Sequence, residues 1–285
     1  MKNFKPYPRY RDSGVDWLGR VPEGWDIKPV FRFARERKER NTGMVEKNLL
    51  SLSYGRIIRK DIASTEGLLP ESFETYQIVR KGDIVFRLTD LQNDKRSLRS
   101  ALVGETGIIT SAYLAIEPSE VNSSFLNHLY RAYDTCKVFY SMGGGLRQSM
   151  KYDDMKRLPT LIPSDVEQAV IADFLDAETA KIDTMLNQIA GGGAGNTGNG
   201  GDQSLAGLLK DYRISLIYEA VTGKIDLRAA WKSPHPSPSS PTWPNNRPQP
   251  FPFRNSPSRM PTEPPKNASG RLPNLRRWAF SVRPS

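Results

Sequence analysis

Cysteine, histidine and long apolar runs are nearly absent from this chain of 285 residues. The one cysteine, Cys136, excludes an intrachain disulfide and is typical of a reducing compartment, so we expect a cytoplasmic protein. With only His128 and His235 beside it, a Cys/His zinc site is not expected. No apolar run of about 18 residues occurs, so the sequence predicts no membrane-spanning helix.

Acidic residues are scarce at the C-terminal end, and this explains most of the net charge of +10. Nine Lys or Arg residues between Ala229 and Ser285 are accompanied by one acid, Glu263. The other 32 basic and 30 acidic residues leave a net charge of only +2 for residues 1–228. A nucleic-acid-binding surface in that part must therefore come from local clusters of charge.

The first part of the chain has the pattern of an α+β fold. Short β-type runs, separated by turn residues, lie between about residues 49 and 116. Apolar residues then recur at helical spacing over Phe125–Tyr140. Strands outnumber helices and do not alternate regularly with them, so we predict a mixed α/β domain over residues 1–160.

Two long amphipathic helices are predicted next, in residues 161–190 and 203–228, the second ending at Gly223 as its C-cap. Residues 191–202 contain seven glycines and predict a flexible linker. Residues 229–285 hold 14 of the 22 prolines and predict a disordered tail.

Both helices are expected to be coiled-coil-like, because their apolar faces need a partner in each other or in another chain. The positions that we assign to this subunit interface are Val166, Val170, Phe174, Ile182, Met185, Leu209 and Leu216.

Three spaced segments carry a likeness to a known family. The first is Tyr10–Gly19, closed by Val21–Trp25; the second is Gly143–Tyr152; the third is Ile162–Asp183. In this order they resemble the specificity subunits of type I restriction–modification systems. Val221–Asp226 resembles the end of that family's conserved helical region.

The resemblance covers residues 1–190 and roughly 203–228 and implies a function without catalysis. It implies an α/β target-recognition domain that reads a few base pairs of double-stranded DNA, and helices that act as a spacer and as the docking site for the methyltransferase (modification) subunit. The restriction subunit would be reached indirectly. S-adenosylmethionine, ATP and magnesium are expected on these partner subunits, and no cofactor on this chain.

A complete member of the family has two recognition domains and two helical regions, so this chain resembles a half subunit. One recognition domain reads only a half-site, and we expect two copies to pair through the helices as a homodimer. The alternative is that the helices fold back on each other and use up the apolar seam within one chain.

Three polar stretches are candidates for DNA contact. Residues 87–99 combine cations for phosphates with amide and hydroxyl groups for base edges, namely Arg87, Thr89, Gln92, Asn93, Lys95, Arg96 and Arg99. A second cluster contains Arg56, Arg59 and Lys60. The glycine turn that starts at Gly143 is interpreted as placing Arg147, Gln148 and Lys151 beside phosphates. The alternatives are solvated loops for the first two stretches and a simple connection for the third.

Catalytic motifs are missing from the sequence. It has no Asn/Asp-Pro-Pro-Tyr/Phe tetrad of an amino-methyltransferase and no upstream Pro-Asp of a nuclease metal site. His128 is the one histidine before the tail, so a Ser/His/Asp set is not expected. We predict that the chain is not an enzyme. Two alternatives stay open: a truncated, inactive remnant, which the glycine run and the tail favour, and an autonomous endonuclease.

Overall fold

The computed structural model describes residues 4–61, 72–91, 98–142, 149–191 and 204–229. Its strands are β1 (Tyr10–Asp12), β2 (Arg20–Pro22), β3 (Asp26–Pro29), β4 (Ala34–Glu36), β5 (Leu50–Ser53), β6 (Arg56–Arg59), β7 (Gln77–Val79), β8 (Ile84–Phe86), β9 (Ser100–Leu102), β10 (Gly107–Ile109), β11 (Leu114–Pro118) and β12 (Pro159–Ile162). Its α-helices are α1 (Ser123–Thr135), α2 (Tyr152–Met155), α3 (Asp165–Gly191) and α4 (Leu205–Val221), with short 3-10 turns at Val30–Arg32, Thr42–Met44 and Val138–Ser141.

An antiparallel four-stranded sheet in the order β4-β11-β8-β9 lies at the centre. All three residues of β8 are buried, because both faces of the sheet are covered. Ile84 and Phe86 face the core that contains α1, whereas Val85 packs in a separate cluster with Leu50 and Ile109. The pairs β1-β2, β3-β12, β5-β6 and β7-β10 form four further two-stranded sheets. The predicted mixed α/β fold with short strands is confirmed.

Helices α1, α3 and α4 pack against one another. Asn122 caps α1, its side-chain oxygen accepting a hydrogen bond from the Phe125 N–H at 2.9 Å. The largest cluster of buried apolar residues joins Trp25, several residues of α1, Phe174 of α3 and Leu216 of α4. The long helices therefore belong to the core of one compact unit, which spans Met1–Lys232. All but the first residue of the predicted tail (229–285) and of the predicted linker (191–202) lies outside the described residues.

The outer halves of α3 and α4 extend beyond this core. After Ile182, no side chain described in α3 is buried, and in α4 only Gly207 is buried before Leu216. We call the paired segments Asp183–Gly191 and 205–215 the helical arm. Met185, Leu205, Leu208 and Ile214 are its exposed large apolar residues. The arm thus presents apolar surface that the compact unit does not cover.

Candidate nucleic-acid interface

The cluster of Arg56, Arg59 and Lys60 lies on an exposed hairpin formed by β5 and β6. Its tip consists of Tyr54 and Gly55, which have φ angles of 44° and 75°. Two successive positive φ angles are typical of the two-residue turns that join antiparallel strands. All three cations are exposed, as a surface for DNA requires. We call Tyr54 to Lys60 the basic hairpin.

Two of these cations are paired with carboxylates. Arg56 Nη2 lies 2.7 Å from Asp183 Oδ2, and Arg59 Nε lies 2.7 Å from Glu105 Oε1. The hydrogen bond between Arg59 and Glu105 raises the pKa of the guanidinium and lowers the pKa of the carboxyl group. A DNA phosphate would have to compete with both carboxylates, so salt should weaken the contribution of the hairpin.

The stem of the polar loop at residues 87–99 is built around Arg99. This side chain is completely buried. Its guanidinium donates hydrogen bonds to the carbonyls of Arg87 (3.3 Å), Thr89 (2.8 Å) and Asp90 (3.3 Å). The predicted phosphate contact of Arg99 therefore needs correction, because a guanidinium with no exposed surface cannot reach a phosphate. Arg99 instead holds the two ends of the loop together.

Both predicted DNA-contacting loops begin at this stem. The Met150 N–H donates to the Leu88 carbonyl at 2.9 Å, and the Arg99 guanidinium lies 5.6 Å from the centroid of the Tyr140 ring. Arg87 is half-buried, whereas Thr89 and Lys151 are exposed. The other candidates of the two loops, Gln92, Asn93, Lys95, Arg96, Arg147 and Gln148, lie outside the described residues.

Arg131 of α1 connects the loop stem with the basic hairpin. Its Nη2 donates to the Gly55 carbonyl at 2.6 Å and to the Ser100 carbonyl at 3.3 Å. A Cβ atom at Gly55 would lie 2.7 Å from Arg131 Cζ, so a larger residue here would displace the guanidinium as well as strain a backbone with a φ of 75°. Two of the polar stretches chosen from the sequence therefore lie next to each other in space. Sequence analysis missed Arg131, because it stands alone within an apolar helical pattern.

A polar contact between α1 and α3 was also missed. Asp176 accepts a hydrogen bond from Ser124 Oγ at 2.7 Å, and its other oxygen lies 2.7 Å from His128 Nε2. Burial opposes ionisation of Asp176, but the hydrogen bonds from His128 and Ser124 outweigh it and lower the pKa of the carboxyl group. The i,i+4 spacing of Ser124 and His128 was the available signal, since it places both on one helix face. Nothing in the sequence pointed to Asp176 as their partner.

We expect the contact at Asp176 to stabilise the fold in a pH-dependent way. A carboxyl group with a lowered pKa stabilises the folded state above its unfolded pKa of about 4, and this contribution is lost as the pH falls through the lowered value. The difference in free energy of unfolding between the wild type and Asp176→Asn should be largest near neutral pH and should shrink towards about pH 2. Urea unfolding across this range measures it. Asp211→Asn, at an exposed position of α4, serves as the control. A difference that grows on acidification would contradict the assignment.

The N-terminal segment lies against the ends of the two long helices. The Tyr7 hydroxyl donates to Glu167 Oε1 at 2.5 Å, and the Tyr10 hydroxyl donates to the Gly223 carbonyl at 2.9 Å. Burial and the contact with Glu167 raise the pKa of Tyr7. Thr222 is the C-cap of α4, and Gly223 follows it with a left-handed φ of 69°, where a Cβ would lie 2.4 Å from Pro22 Cγ; the helix thus ends one residue before the glycine predicted as its cap. The first and last of the segments that resemble the family thus form one contact region.

The predicted subunit interface is only partly exposed. Phe174, Ile182 and Leu216 are buried inside the chain, and the Phe174 ring lies 5.4 Å from that of Phe4. Their assignment to a surface between subunits needs correction, because side chains that are buried within one chain cannot contact another. Val170 and Leu209 are half-buried, whereas Val166 and Met185 are exposed. The fold therefore agrees with the alternative in which most of the apolar face of the two long helices is buried within one chain.

Two further features are absent from the described ranges. No group of three or more His, Cys, Asp or Glu side chains there could hold a metal ion. None of the helices described is long and apolar enough to cross a membrane.

No family model and no curated protein matches the chain. Solved structures do match it. Three of the matched structures come from type I restriction–modification systems, each at a TM-score below 0.5. One match, from a study of complex assembly and conformational transition of the type I R-M system, has a TM-score of 0.41 and 13% identity, covering 76% of this chain and 49% of that one. The HsdS subunit from Thermoanaerobacter tengcongensis has a TM-score of 0.41 and 17% identity, covering 60% and 44%. The type I restriction–modification S subunit from M. genitalium has a TM-score of 0.38 and 13% identity, covering 59% and 41%. The chain thus spans less than half the length of each.

Proposed function

We propose that the chain is a sequence-specific DNA-binding subunit, of half length, that directs the modification and restriction subunits of a type I restriction–modification system. The observation that carries this proposal is the set of spaced sequence signatures shared with specificity subunits. The structure adds support, because the N-terminal signature and the end of the conserved helical region contact each other directly through Tyr10 and Gly223.

The DNA-binding side of the proposal rests on the basic hairpin and the loop stem. Arg131 joins the hairpin to the strand that follows Arg99, so cations and hydrogen-bonding groups from two stretches occupy one region. Such a combination lets cations hold the phosphates while amide and hydroxyl groups read base edges. In this proposal the loops that begin at the stem supply the base contacts.

The partners of the proposed complex supply its chemistry. The modification subunit would bring S-adenosylmethionine, and the restriction subunit would bring ATP and magnesium. The helical arm, with its exposed apolar residues, is the docking surface that we propose for the modification subunit.

Methylation mapping tests this function. Co-expression of the chain with its modification subunit, in cells that lack other methyltransferases, should produce one methylated motif that is absent without the chain. We expect an inverted repeat with a fixed gap, since two copies would each read a half-site. A folded chain that neither co-purifies with the modification subunit nor causes methylation would favour the inactive remnant. Magnesium-dependent cleavage of DNA by the isolated chain would favour the endonuclease.

We expect Lys60 to contribute one phosphate contact. Replacing it with alanine should reduce the slope of log affinity against log salt concentration by about 0.9, because one fewer counterion is released on binding. Fluorescence anisotropy with labelled duplex DNA between low and moderate salt measures this slope. The matched control is Lys38→Ala, which removes another exposed lysine, one paired with Glu36. Equal slopes for Lys60→Ala and the wild type would remove this end of the hairpin from the interface.

A further inference from the structure

Two arginines bind one carboxylate at the base of the helical arm, and a third arginine lies near them. Asp183 of α3 accepts from Arg56 Nη2 at 2.7 Å and from Arg213 Nη1 at 2.7 Å. Arg131 of α1 binds the Gly55 carbonyl at the hairpin tip and is close enough to interact electrostatically with both arginines. We call Arg56, Arg131 and Arg213 the arginine cluster. Its three guanidinium groups exceed the two nearby carboxylates, Asp183 and Asp134, by one positive charge.

The charge of Arg131 is incompletely compensated. Its Nε atom is buried and has no hydrogen-bond partner. Burial, followed by the nearby charge of Arg213, lowers the pKa of this guanidinium to about 10; Arg56 acts in the same direction, and Asp134 and Asp183 oppose the shift in part. A buried cation normally has an anion or a full set of acceptors beside it. The cluster therefore has room, in electrostatic terms, for one more negative group.

Solvent reaches the cluster from the side of the basic hairpin. The side chain of Arg56 is 61% exposed, and those of Arg213 and Asp183 are 25% and 28% exposed. Lys60, four residues after Arg56, adds a cation on the same side, about 13 Å away at the usual rise per residue, whereas Arg59 points to the opposite face of the strand. Two separated cations on one side match a polyanion better than a single small anion, and guanidinium groups bind phosphate oxygens in a bidentate manner.

We propose that the arginine cluster binds one backbone phosphate of duplex DNA, and that Asp183 occupies this site as a competing anion when DNA is absent. The inference rests on the proposed DNA-binding function and adds a contact from the conserved helices, since Arg213 belongs to α4. Arg131 and Arg213 lie in none of the three polar stretches that the sequence singled out. The phosphate would pair with Arg56 and Arg213 while Arg131 stabilises it from behind.

Two substitutions distinguish a phosphate site from a purely structural ion pair. Arg213→Gln and Asp183→Asn break the same ion pair, so both should lower the melting temperature. Their effects on DNA affinity should have opposite signs. Arg213→Gln should weaken binding by about tenfold at physiological salt and reduce the log–log salt slope by about 0.9. Asp183→Asn should strengthen binding by about three- to tenfold, because the competing carboxylate is gone.

The measurements use the full chain and a labelled duplex, with thermal unfolding in parallel. Arg213→Lys keeps the positive charge and should retain the wild-type salt slope. A second outcome is that the wild type binds DNA while Arg213→Gln and Asp183→Asn change its affinity in the same direction, or not at all. The cluster is then a structural ion pair, and the proposed phosphate site is rejected while the proposed DNA-binding function stands. If the wild type itself shows no salt-dependent binding, the proposed function fails and the site fails with it.

Discussion

Replacing Arg99 with alanine is expected to destabilise the chain by about 3 kcal/mol or more. The substitution leaves the part-buried carbonyls of Arg87, Thr89 and Asp90 without the guanidinium donor and removes a fully buried side chain from the loop stem. Each unsatisfied buried group costs about 1–3 kcal/mol. Because the same stem carries both predicted DNA-contacting loops, sequence selection should be lost together with stability.

Urea unfolding at neutral pH measures this effect, and DNA binding below the unfolding transition measures its consequence. Arg59→Ala is the matched control, since it removes an exposed arginine that is paired with Glu105 at the surface. We expect the control to leave the unfolding midpoint nearly unchanged and to reduce only the salt slope of binding. If Arg99→Ala is as stable as the wild type and has a reduced salt slope, Arg99 contacts DNA phosphate, as the sequence predicted.

The burial of Arg99 shows where sequence reasoning stops. A segment rich in Arg, Lys, Asn and Gln predicts a surface loop, and for Thr89 the surface location is correct. The need for a buried donor arises only in three dimensions, where an irregular stem turns three carbonyls inward that no strand or helix satisfies. No local sequence pattern indicates that these carbonyls need a buried donor. Arg131 was missed for the same reason, since its acceptors at Gly55 and Ser100 are distant in sequence.

Long periodic elements were predictable, and their partners were not. The 3.6-residue period and the capping signals predicted α3, which the structure confirms, and the end of α4 to within one residue. Periodicity also identified the apolar face with Phe174 and Ile182. It could not tell whether another helix, another chain or the N-terminal segment covers that face. Phe4, far away in sequence, is one of the residues that do so.

We expect the helical arm, rather than the buried face, to determine assembly. Replacing both Met185 and Leu208 with aspartate should abolish co-purification with the modification subunit and leave the isolated chain folded, because both side chains are exposed, at 46% and 59%. Loss of two apolar contacts of about 1.5 kcal/mol each corresponds to roughly a 150-fold loss of affinity. Phe174→Asp should behave differently and unfold the chain, since Phe174 is only 1% exposed.

Circular dichroism, light scattering and co-purification separate these outcomes. Gln188→Asp adds one negative charge to the arm, half that of the double variant, without removing an apolar side chain, so it should retain the partner. Light scattering of the wild type, alone and with the modification subunit, shows whether two copies pair. If Met185→Asp/Leu208→Asp still binds the modification subunit and still forms any dimer of the wild type, the arm is not the docking surface. The exposed Val166, at the opposite end of α3, would then be the next position to test.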